Sequence, residues 1–517
     1  MAAFLLLNLA VILLSAVAQN ITDLQNALSA HGVSAVYPTD ENFTIVSQAF
    51  NRRFTISPIA VAFPTSVAQV SAAVAAGAAQ NLEVVARSGG HSYIANGLGG
   101  KDGALVVDMS KLKAITVRSS NDTALIETGN RLGDVALALN AKGRAMPHGT
   151  CSYVSRGGGN RRTQWYASIE SSVNYELNAA LGYGGFGFTS RIWGLALDVV
   201  KSATVVLGNG TVVSASANVN SDLYWAIRGA SPSFGIVTSI EVQTFPAPPS
   251  AIVLEYTWND LDMSTAADSI TSFQTFAATN VPPELGAELL FTKGSSSGKV
   301  NLQLNGAWYG APELFNATFA PYLNTLPATS SANIFPGSYI DSVMTLASPQ
   351  GLNTSAAPDE FDTFYTKSLM TPSAAPMSAA AIEAFATYMT TEGFSSTTEW
   401  FAEVELYGGS ASAINAVPLD STAFAKRDTL FTIQFVSASA APPYPAAGFT
   451  FLDGMVASIL NNEPADWNYG TYLNYIDDRL LNAANLYYGT HYPRLKALKA
   501  ALDPKDTFRF PVGVTVA

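Results

Sequence analysis

Short apolar runs and helical patterns alternate along the first half of the chain. Residues 82–86 and 104–108 are mainly apolar runs of strand length, the second ending at an acidic residue, and they predict buried strands. The alanine-rich stretch 67–79 follows a proline and a serine that can cap a helix, and its first valines fall on one helical face. The order strand, helix, strand predicts a βαβ-like unit that ends in the loop after residue 86.

The pattern up to residue 245 predicts more elements of the same kind. We expect strands over residues 123–129, 194–198, 203–207 and 234–245, and helices over 132–140 and 222–229. Gly208-Asn209-Gly210 predicts a tight hairpin turn between two of these strands.

The character of the chain changes after the proline-rich stretch 246–249. Alternating runs then occur at 252–256, 288–291, 300–304, 399–406 and 431–436, with helical stretches between them. This pattern predicts a mostly antiparallel sheet and an α+β fold class. We predict a leader over residues 1–18, a first domain over 19–247, a second domain over 248–465 and a C-terminal segment over 466–517.

Composition narrows the classes of protein. Hydrophobic residues make up 48% and charged residues 13% of the 517 residues, which is typical of a compact globular protein. The net charge is 27 − 39 = −12, without a long basic run. We therefore expect no nucleic-acid partner, because a phosphate backbone requires clustered Lys and Arg.

The N-terminus predicts secretion. Residues 1–18 carry an apolar run that ends in the small residues Ala16-Val17-Ala18, and this run is too short to span a membrane well. We expect a cleaved signal, an extracellular protein and no membrane partner. Six glycosylation sequons agree with this, at Asn20, Asn42, Asn121, Asn209, Asn316 and Asn353. A lone cysteine in a secreted protein, here Cys151, is buried, intermolecular or chemically used.

Two glycine-rich loops are the candidate ligand-binding segments. Gly89-Gly90 lets the backbone pass close to a ligand just before His91. The second loop, residues 182–187, suits a backbone lying against a pyrophosphate or, equally, a flexible surface loop. From the residues alone, His91 is a loop histidine bonded to backbone, and Cys151 is a small buried apolar residue.

The ordered set of motifs resembles the berberine-bridge-enzyme-like FAD-linked oxidases of the vanillyl-alcohol oxidase / p-cresol methylhydroxylase superfamily, in particular the oligosaccharide oxidases. The resemblance covers nearly all of the chain after the leader. The motifs that carry it are Arg87-Ser88-Gly89-Gly90-His91-Ser92, Gly149-Thr150-Cys151, residues 181–187 and 228–239, Tyr472-Leu473-Asn474-Tyr475, Tyr487-Tyr488-Gly489 and Asp503-Pro504.

The resemblance implies a PCMH-type FAD-binding domain built from both chain ends, with an inserted substrate domain of antiparallel sheet and helices. It implies that His91 bonds the flavin 8α-methyl group and that Cys151 bonds flavin C6. Val154 matches a position that gates oxygen. The cofactor-binding residues that it implies are His91, Cys151, Arg87, Ser88, Gly89, Gly90, Ser92, Val154, Gly182, Gly184, Gly185, Gly187 and Ile236.

The resemblance also implies the groups that handle the substrate. Tyr475 matches the position of the catalytic base, Tyr472 precedes it, and Glu405 resembles an acidic catalytic position. A free phenol has a pKa of about 10, so Tyr475 needs a neighbour that accepts its proton or its hydrogen bond. Tyr93, Gln434 and Glu403 are the expected substrate contacts. For Tyr472 and the two glutamates, core packing and a solvated strand face are equal alternatives.

One segment departs from the family pattern. Residues 159–178 stand where relatives pass almost directly from the cysteine loop to the second glycine loop, and the usual histidine is missing. Deleting these 20 residues restores the family spacing. The segment is therefore a retained intron in the gene or a real inserted loop, and we favour the intron.

Three functions follow from the sequence. The first is a secreted oxidase that takes a hydride from an alcohol, such as the reducing-end hydroxyl of a sugar, to flavin N5 and reduces O2 to hydrogen peroxide. The second is an oxidase that tailors or cyclises a secondary metabolite. The third is a binding protein that has lost its flavin because of the insert. We expect a monomer, a small-molecule substrate and no metal centre.

Overall fold

The computed structural model describes residues 21–118, 120–150, 182–347, 352, 354 and 363–516. The predicted leader over 1–18, Cys151, Val154 and the inserted segment 159–178 lie outside these residues. Two of the sequons, Asn20 and Asn353, also lie outside them.

The first sheet contains the predicted βαβ-like unit. Its strands are β1 (Ser34–Val36), β2 (Ala60–Phe63), β3 (Val84–Arg87) and β4 (Leu105–Asp108), in the order β1-β2-β4-β3. β2 and β3 are both parallel to β4. The predicted helix runs over Val67–Ala79, and the Ser66 side chain accepts a hydrogen bond from the Gln69 N–H, as an N-cap does.

A second, antiparallel sheet follows. Its strands are β5 (Ile115–Arg118), β6 (Thr123–Glu127), β8 (Val200–Val206), β9 (Val212–Ser216) and β10 (Ile236–Gln243), in the order β5-β6-β10-β8-β9. β8 and β9 form the predicted hairpin around Gly208-Asn209-Gly210. A short pair, β7 (Arg144–Ala145) with β11 (Phe245–Pro246), connects this part to the next.

The prediction of a strand over residues 194–198 is wrong. The backbone makes a 3-10 turn over Ala196–Val199. The Asp198 carboxylate accepts a hydrogen bond from the Leu195 N–H at 2.9 Å and pairs with Arg427, which lies 229 residues away, at 2.6 Å. A contact from a distant part of the chain therefore stabilises a turn where the apolar pattern predicts a strand.

The third sheet has seven antiparallel strands. They are β12 (Ala251–Asp262), β13 (Leu285–Lys293), β14 (Lys299–Trp308), β15 (Ser331–Gly337), β16 (Thr363–Thr371), β17 (Glu399–Leu406) and β18 (Phe431–Ser439), in the order β15-β12-β14-β13-β17-β18-β16. One face packs on a core with the helices Met263–Ala277, Ala379–Thr390 and Ala446–Leu460. In β17 only Glu399 is exposed, so the opposite face is covered too.

Both ends of the chain build the first domain. The Val84 N–H of β3 donates to the Thr507 carbonyl, and the Lys499 ammonium group donates to the Ser233 carbonyl. One hydrophobic core joins Tyr93 and Phe234 to Tyr472 and Leu495 of the C-terminal segment. The mixed α+β fold that we expected is confirmed, while the residue bounds of the domains stay predictions.

The structure contains further helices besides those named above. None of the helices in the described residues has both the length and the apolar character needed to cross a membrane. These helices run over 21–30, Phe43–Val46, Leu132–Asn140, Ser190–Trp193, Ser221–Ala230, Phe315–Leu323, Tyr339–Leu346, Glu392–Ser395, Ala413–Ala416, Ala483–Tyr488 and Tyr492–Leu502.

Candidate active site

The loop after β3 is fixed by the side chains that precede His91. The Arg87 guanidinium pairs with Asp108 at 2.7 Å and therefore turns toward the neighbouring strand. The Ser88 hydroxyl donates to the Thr128 carbonyl. Gly90 has a φ of +83°, in the left-handed region that favours glycine. Arg87 and Ser88 thus hold the loop, and the backbone turns at Gly90 to present His91.

A cavity opens beside this loop. Residues from four distant parts of the chain line it. They include His91, Ser92 and Tyr93 of the first glycine loop, Tyr183 of the second, Ile236 at the start of β10, and Asn474 of the C-terminal segment.

The His91 imidazole is buried and neutral. Burial, and to a smaller extent the positive charge of Arg131, lowers its pKa to about 3. The edge of the Phe50 ring packs against it, with ring centroids 4.9 Å apart. A neutral imidazole keeps a nitrogen lone pair at neutral pH, so His91 can act as a nucleophile.

The second glycine loop is buried rather than exposed. Residues 182–190 are all buried, so the flexible surface loop is the wrong alternative. The Tyr472 hydroxyl oxygen accepts hydrogen bonds from the N–H groups of Gly185 and Phe186, both at 3.1 Å. Gly184 has a φ of +152°, and a Cβ there would lie 2.6 Å from the Tyr472 hydroxyl. These contacts make Tyr472 an anchor for the loop.

Two other glycines of this loop allow close packing within the protein. A Cβ at Gly182 would lie 2.7 Å from the Ser231 side chain, and one at Gly187 would lie 1.8 Å from the His148 carbonyl. Tyr183 is the member of the loop that lines the cavity. The contact of this loop with a pyrophosphate stays a prediction.

Tyr475 and Glu405 form a buried hydrogen-bonded pair. The Tyr475 hydroxyl donates to Glu405 Oε1 at 2.8 Å, and the two side chains are 1% and 5% exposed. Burial first, and then the negative charge of Glu288, raises the pKa of Glu405 well above its usual value, while the Tyr475 hydrogen bond lowers it. When Glu405 is ionised, the pair can accept a proton from a hydroxyl group.

The predicted substrate contacts lie next to this pair. Glu403 lies directly opposite Gln434 in the register of β17 and β18. The Gln434 amide nitrogen donates to the Tyr93 hydroxyl at 3.3 Å, which connects the sheet to the first glycine loop. Glu403 is also hydrogen-bonded to Glu288, whose pKa burial raises to about 7. The structure thus brings Tyr93, Glu403 and Gln434 together.

Three residues of the site were missed from the sequence. Glu288 lies opposite Glu405 in the register of β13 and β17, and its one signal is a charged position inside an otherwise apolar strand. Asn474 lines the cavity and donates to the Tyr472 hydroxyl at 3.0 Å. The buried Arg191 donates to the carbonyls of Gly408 and Pro282, and so fixes the ends of β17 and β13. No local pattern marks Arg191.

The residues present fit a FAD. A cavity lined mainly by apolar groups, with a few polar groups among them, is typical of cofactor sites. The turn at Gly90 brings a neutral imidazole to its wall. The described residues hold no cluster of three or more His, Cys, Asp and Glu suited to a metal ion.

Comparison with known proteins agrees with this fit. A family model described as "FAD binding domain" matches residues 58–175, and one described as "Berberine and berberine like" matches residues 471–515. The chain is 34% identical to a chitooligosaccharide oxidase of Gibberella zeae, over 95% of this chain and 94% of that protein. It is 35% identical to a carbohydrate oxidase of Microdochium nivale, over 95% and 94%.

The chain belongs to the berberine-bridge-enzyme-like family of FAD-linked oxidases. As a member of this family it is a FAD-dependent oxidoreductase, as the motifs predicted. Among solved structures it resembles the glucooligosaccharide oxidase of Acremonium strictum with 6-S-cysteinyl, 8α-N1-histidyl FAD, at a TM-score of 0.83 and 30% identity, covering 96% of this chain and 99% of that one.

Proposed function

We propose that this berberine-bridge-like oxidase oxidises the reducing-end hydroxyl of a sugar or oligosaccharide and uses O2 as the electron acceptor. The observation that carries the proposal is the buried Tyr475–Glu405 pair, in which Tyr475 lies in sequence between Asn474 and Ile476, two residues that line the same cavity as His91. The names of its relatives, carbohydrate oxidase and chitooligosaccharide oxidase, support the substrate class. The chemistry that bound FAD supplies is acceptance of a hydride from the alcohol carbon at N5 and reduction of O2 to hydrogen peroxide.

The side chains of the chain itself manage the proton. The substrate hydroxyl gives its proton to the Tyr475 oxygen as the Tyr475 proton passes to Glu405 Oε1. The hydrogen bond of 2.8 Å already points this way. Gln434 and Glu403 orient the sugar, and burial of all these groups excludes water that would compete for the proton.

We also propose that the FAD is held by two covalent bonds, from His91 to the 8α-methyl group and from Cys151 to C6. The neutral imidazole of His91 and the relative with both bonds support this proposal. Cys151 lies outside the described residues, so its part rests on the motif Gly149-Thr150-Cys151 and on that relative.

The colour of acid-precipitated protein tests the covalent bonds. We expect the wild-type pellet to stay yellow, and the pellet of the double variant His91→Ala, Cys151→Ser to be colourless. Wild-type flavin that moves entirely into the supernatant contradicts covalent attachment.

Peroxide formation with a panel of monosaccharides and oligosaccharides tests the reaction. We expect Tyr475→Phe to lower kcat by about 10²- to 10⁴-fold, the usual contribution of a general base, with an unchanged flavin spectrum. Tyr492→Phe is the matched control, because its hydroxyl forms an exposed hydrogen bond with Thr515 at the end of the same segment. A yellow wild-type protein that forms no peroxide with any sugar overturns the proposed substrate class.

Secretion and the inserted segment need their own tests. We infer an extracellular protein from the leader over 1–18 and the sequons. Its N-terminal sequence from culture medium should then begin after Ala18, and a protein found only inside cells contradicts this. Sequencing the transcript decides the origin of residues 159–178, because a spliced message without them identifies an intron and a full-length message identifies a real loop.

A further inference from the structure

A row of polar side chains crosses the covered face of the third sheet next to Tyr475. Glu288 of β13 lies opposite Glu405 of β17, and Glu405 lies opposite Thr432 of β18. Two residues along the strands, Glu403 lies opposite Gln434. Every second residue of a strand lies on the same face, and directly opposite residues of paired strands share a face. All five side chains therefore point to the same side of the sheet.

This row presents buried oxygen atoms that can accept hydrogen bonds. Glu405 is 5% exposed, Gln434 1% and Thr432 0%. Within the described part of the chain, Glu405 Oε2, Gln434 Oε1 and Thr432 Oγ1 have no hydrogen-bond partner. Buried acceptors without partners are costly. Their convergence beside the base therefore points to a ligand that donates hydrogen bonds.

The row is also acidic without a matching cation. Among the described residues, the groups that interact with the Glu405 carboxyl include Glu288, Tyr475 and Tyr407. Those that form hydrogen bonds with Glu288 include Glu403 and Asn305. In the residues that the structure describes, neither Glu288 nor Glu405 forms an ion pair with Lys or Arg. A cationic group in contact with these carboxyls would be stabilised by their negative charge.

We infer that this site selects sugars with a free amine on the carbon next to the one that is oxidised. An ammonium group has three donors and no acceptor, which matches Glu405 Oε2, Gln434 Oε1 and Thr432 Oγ1. We place the amine on the adjoining carbon because Glu405, which accepts the hydrogen bond of the base Tyr475, is itself a member of the row and lies opposite Thr432. The inference rests on the proposed sugar oxidation and names the class of sugar within it.

The oxidation itself is unchanged by the amine. The carbon–hydrogen bond and the hydroxyl proton are lost as in the proposed function, and the ammonium group keeps all its bonds. Its role is to complete the hydrogen bonds of the row and to balance its charge. A neutral hydroxyl or an acetylated amine at the same carbon supplies fewer donors and no charge.

Binding of sugars that cannot be oxidised tests the inference on the flavin-loaded protein. The probes are the 1,5-anhydro forms of glucosamine, N-acetylglucosamine and glucose, which lack the reacting hydroxyl. By calorimetry we expect the free amine to bind about tenfold more tightly than either neutral sugar, since a charge-assisted hydrogen bond is worth about this much. Equal affinities, or tighter binding of the acetylated sugar, overturn the inference.

Variants locate the preference. Glu288→Gln and Glu405→Gln keep the shape of the side chain and should abolish the advantage of the amine. Glu399→Gln is the matched control, the same change at the exposed start of the same strand, and should leave the advantage intact. If Glu288→Gln and Glu405→Gln both retain the full preference, the row does not bind the amine.

A measurement on the wild-type protein makes the test independent of the folding of the variants. The affinity for the amine should fall as NaCl is raised, while that for the neutral sugars should not, because salt weakens interactions between charges. Identical salt dependence refutes the inference. If the protein forms peroxide with neutral sugars but shows no preference for the amine, the inference alone fails. If none of the sugars yields peroxide, the proposed function is refuted.

Discussion

Glu288→Gln should shift the pH dependence of the reaction by changing the charge next to Glu405. Glu405 can accept a proton only when it is ionised, so kcat/KM should rise as the pH rises through its pKa and be lost below it. Burial and the negative charge of Glu288 raise that pKa. Removing the Glu288 charge lowers the pKa of Glu405, and the acidic limb of the profile should therefore move to lower pH.

The size of the shift follows from the register. Directly opposite side chains in antiparallel strands have Cβ atoms about 5 Å apart, and two charges at this distance repel by about 3 kcal/mol at an effective dielectric constant of about 20. This equals about 2 pKa units for a fully ionised neighbour. The pKa of Glu288 is itself raised to about 7, so its charge is partial near neutral pH. We expect a shift of about 1–2 units.

The assay is kcat/KM for peroxide formation with one neutral sugar between pH 5 and pH 10. Glu399→Gln, at the exposed start of β17, is the control and should leave the profile in place. Wild-type and variant proteins should have the same flavin content. An acidic limb that stays where it is in Glu288→Gln would mean that burial alone sets the pKa of Glu405, and a limb that moves to higher pH would refute the electrostatic reasoning.

Three further substitutions test the supports of the site. Tyr472→Phe removes the acceptor of two buried N–H groups of the second glycine loop. We therefore expect a loss of about 2 kcal/mol in the free energy of unfolding. An unchanged denaturation curve with a lower kcat would instead make Tyr472 a catalytic residue. Gly184→Ala places a Cβ 2.6 Å from the Tyr472 hydroxyl and should lower both Tm and flavin content, and wild-type values for both contradict the close packing. Arg191→Met leaves buried carbonyls without donors and should lower the free energy of unfolding, measured with denaturant, by about 3 kcal/mol or more. A decrease of less than about 1 kcal/mol would show that water replaces the guanidinium.

The local elements were predictable because nearby residues decide them. The helix over Leu132–Asn140 and that over Val67–Ala79 have the bounds that their apolar faces and end signals predict. The hairpin between β8 and β9 was likewise predicted, because its turn is set by the neighbouring residues Gly208-Asn209-Gly210. The turn over Ala196–Val199 was missed because the Asp198–Arg427 pair that supports it joins residues 229 positions apart.

The site shows the same division. The order of motifs around His91, Tyr475 and the glycine loops was enough to assign the family and its cofactor, since each motif is local and their order is specific. It could not show that Tyr472 holds the second glycine loop, a contact across 287 residues. Nor could it distinguish, for Glu405, a catalytic position from a solvated strand face.

By itself, the sequence determined the helices over 67–79, 132–140 and 222–229, most of the strands, the family and the segments that carry its chemistry, because those depend on residues a few positions apart. The tertiary structure alone decided which acidic side chains meet. Glu288 and Glu405 are neighbours because β13 and β17 pair in one register, and a shift of that register by one residue would turn Glu288 to the opposite face. Long-range strand pairing, which no local pattern encodes, therefore sets the charge around the reacting proton.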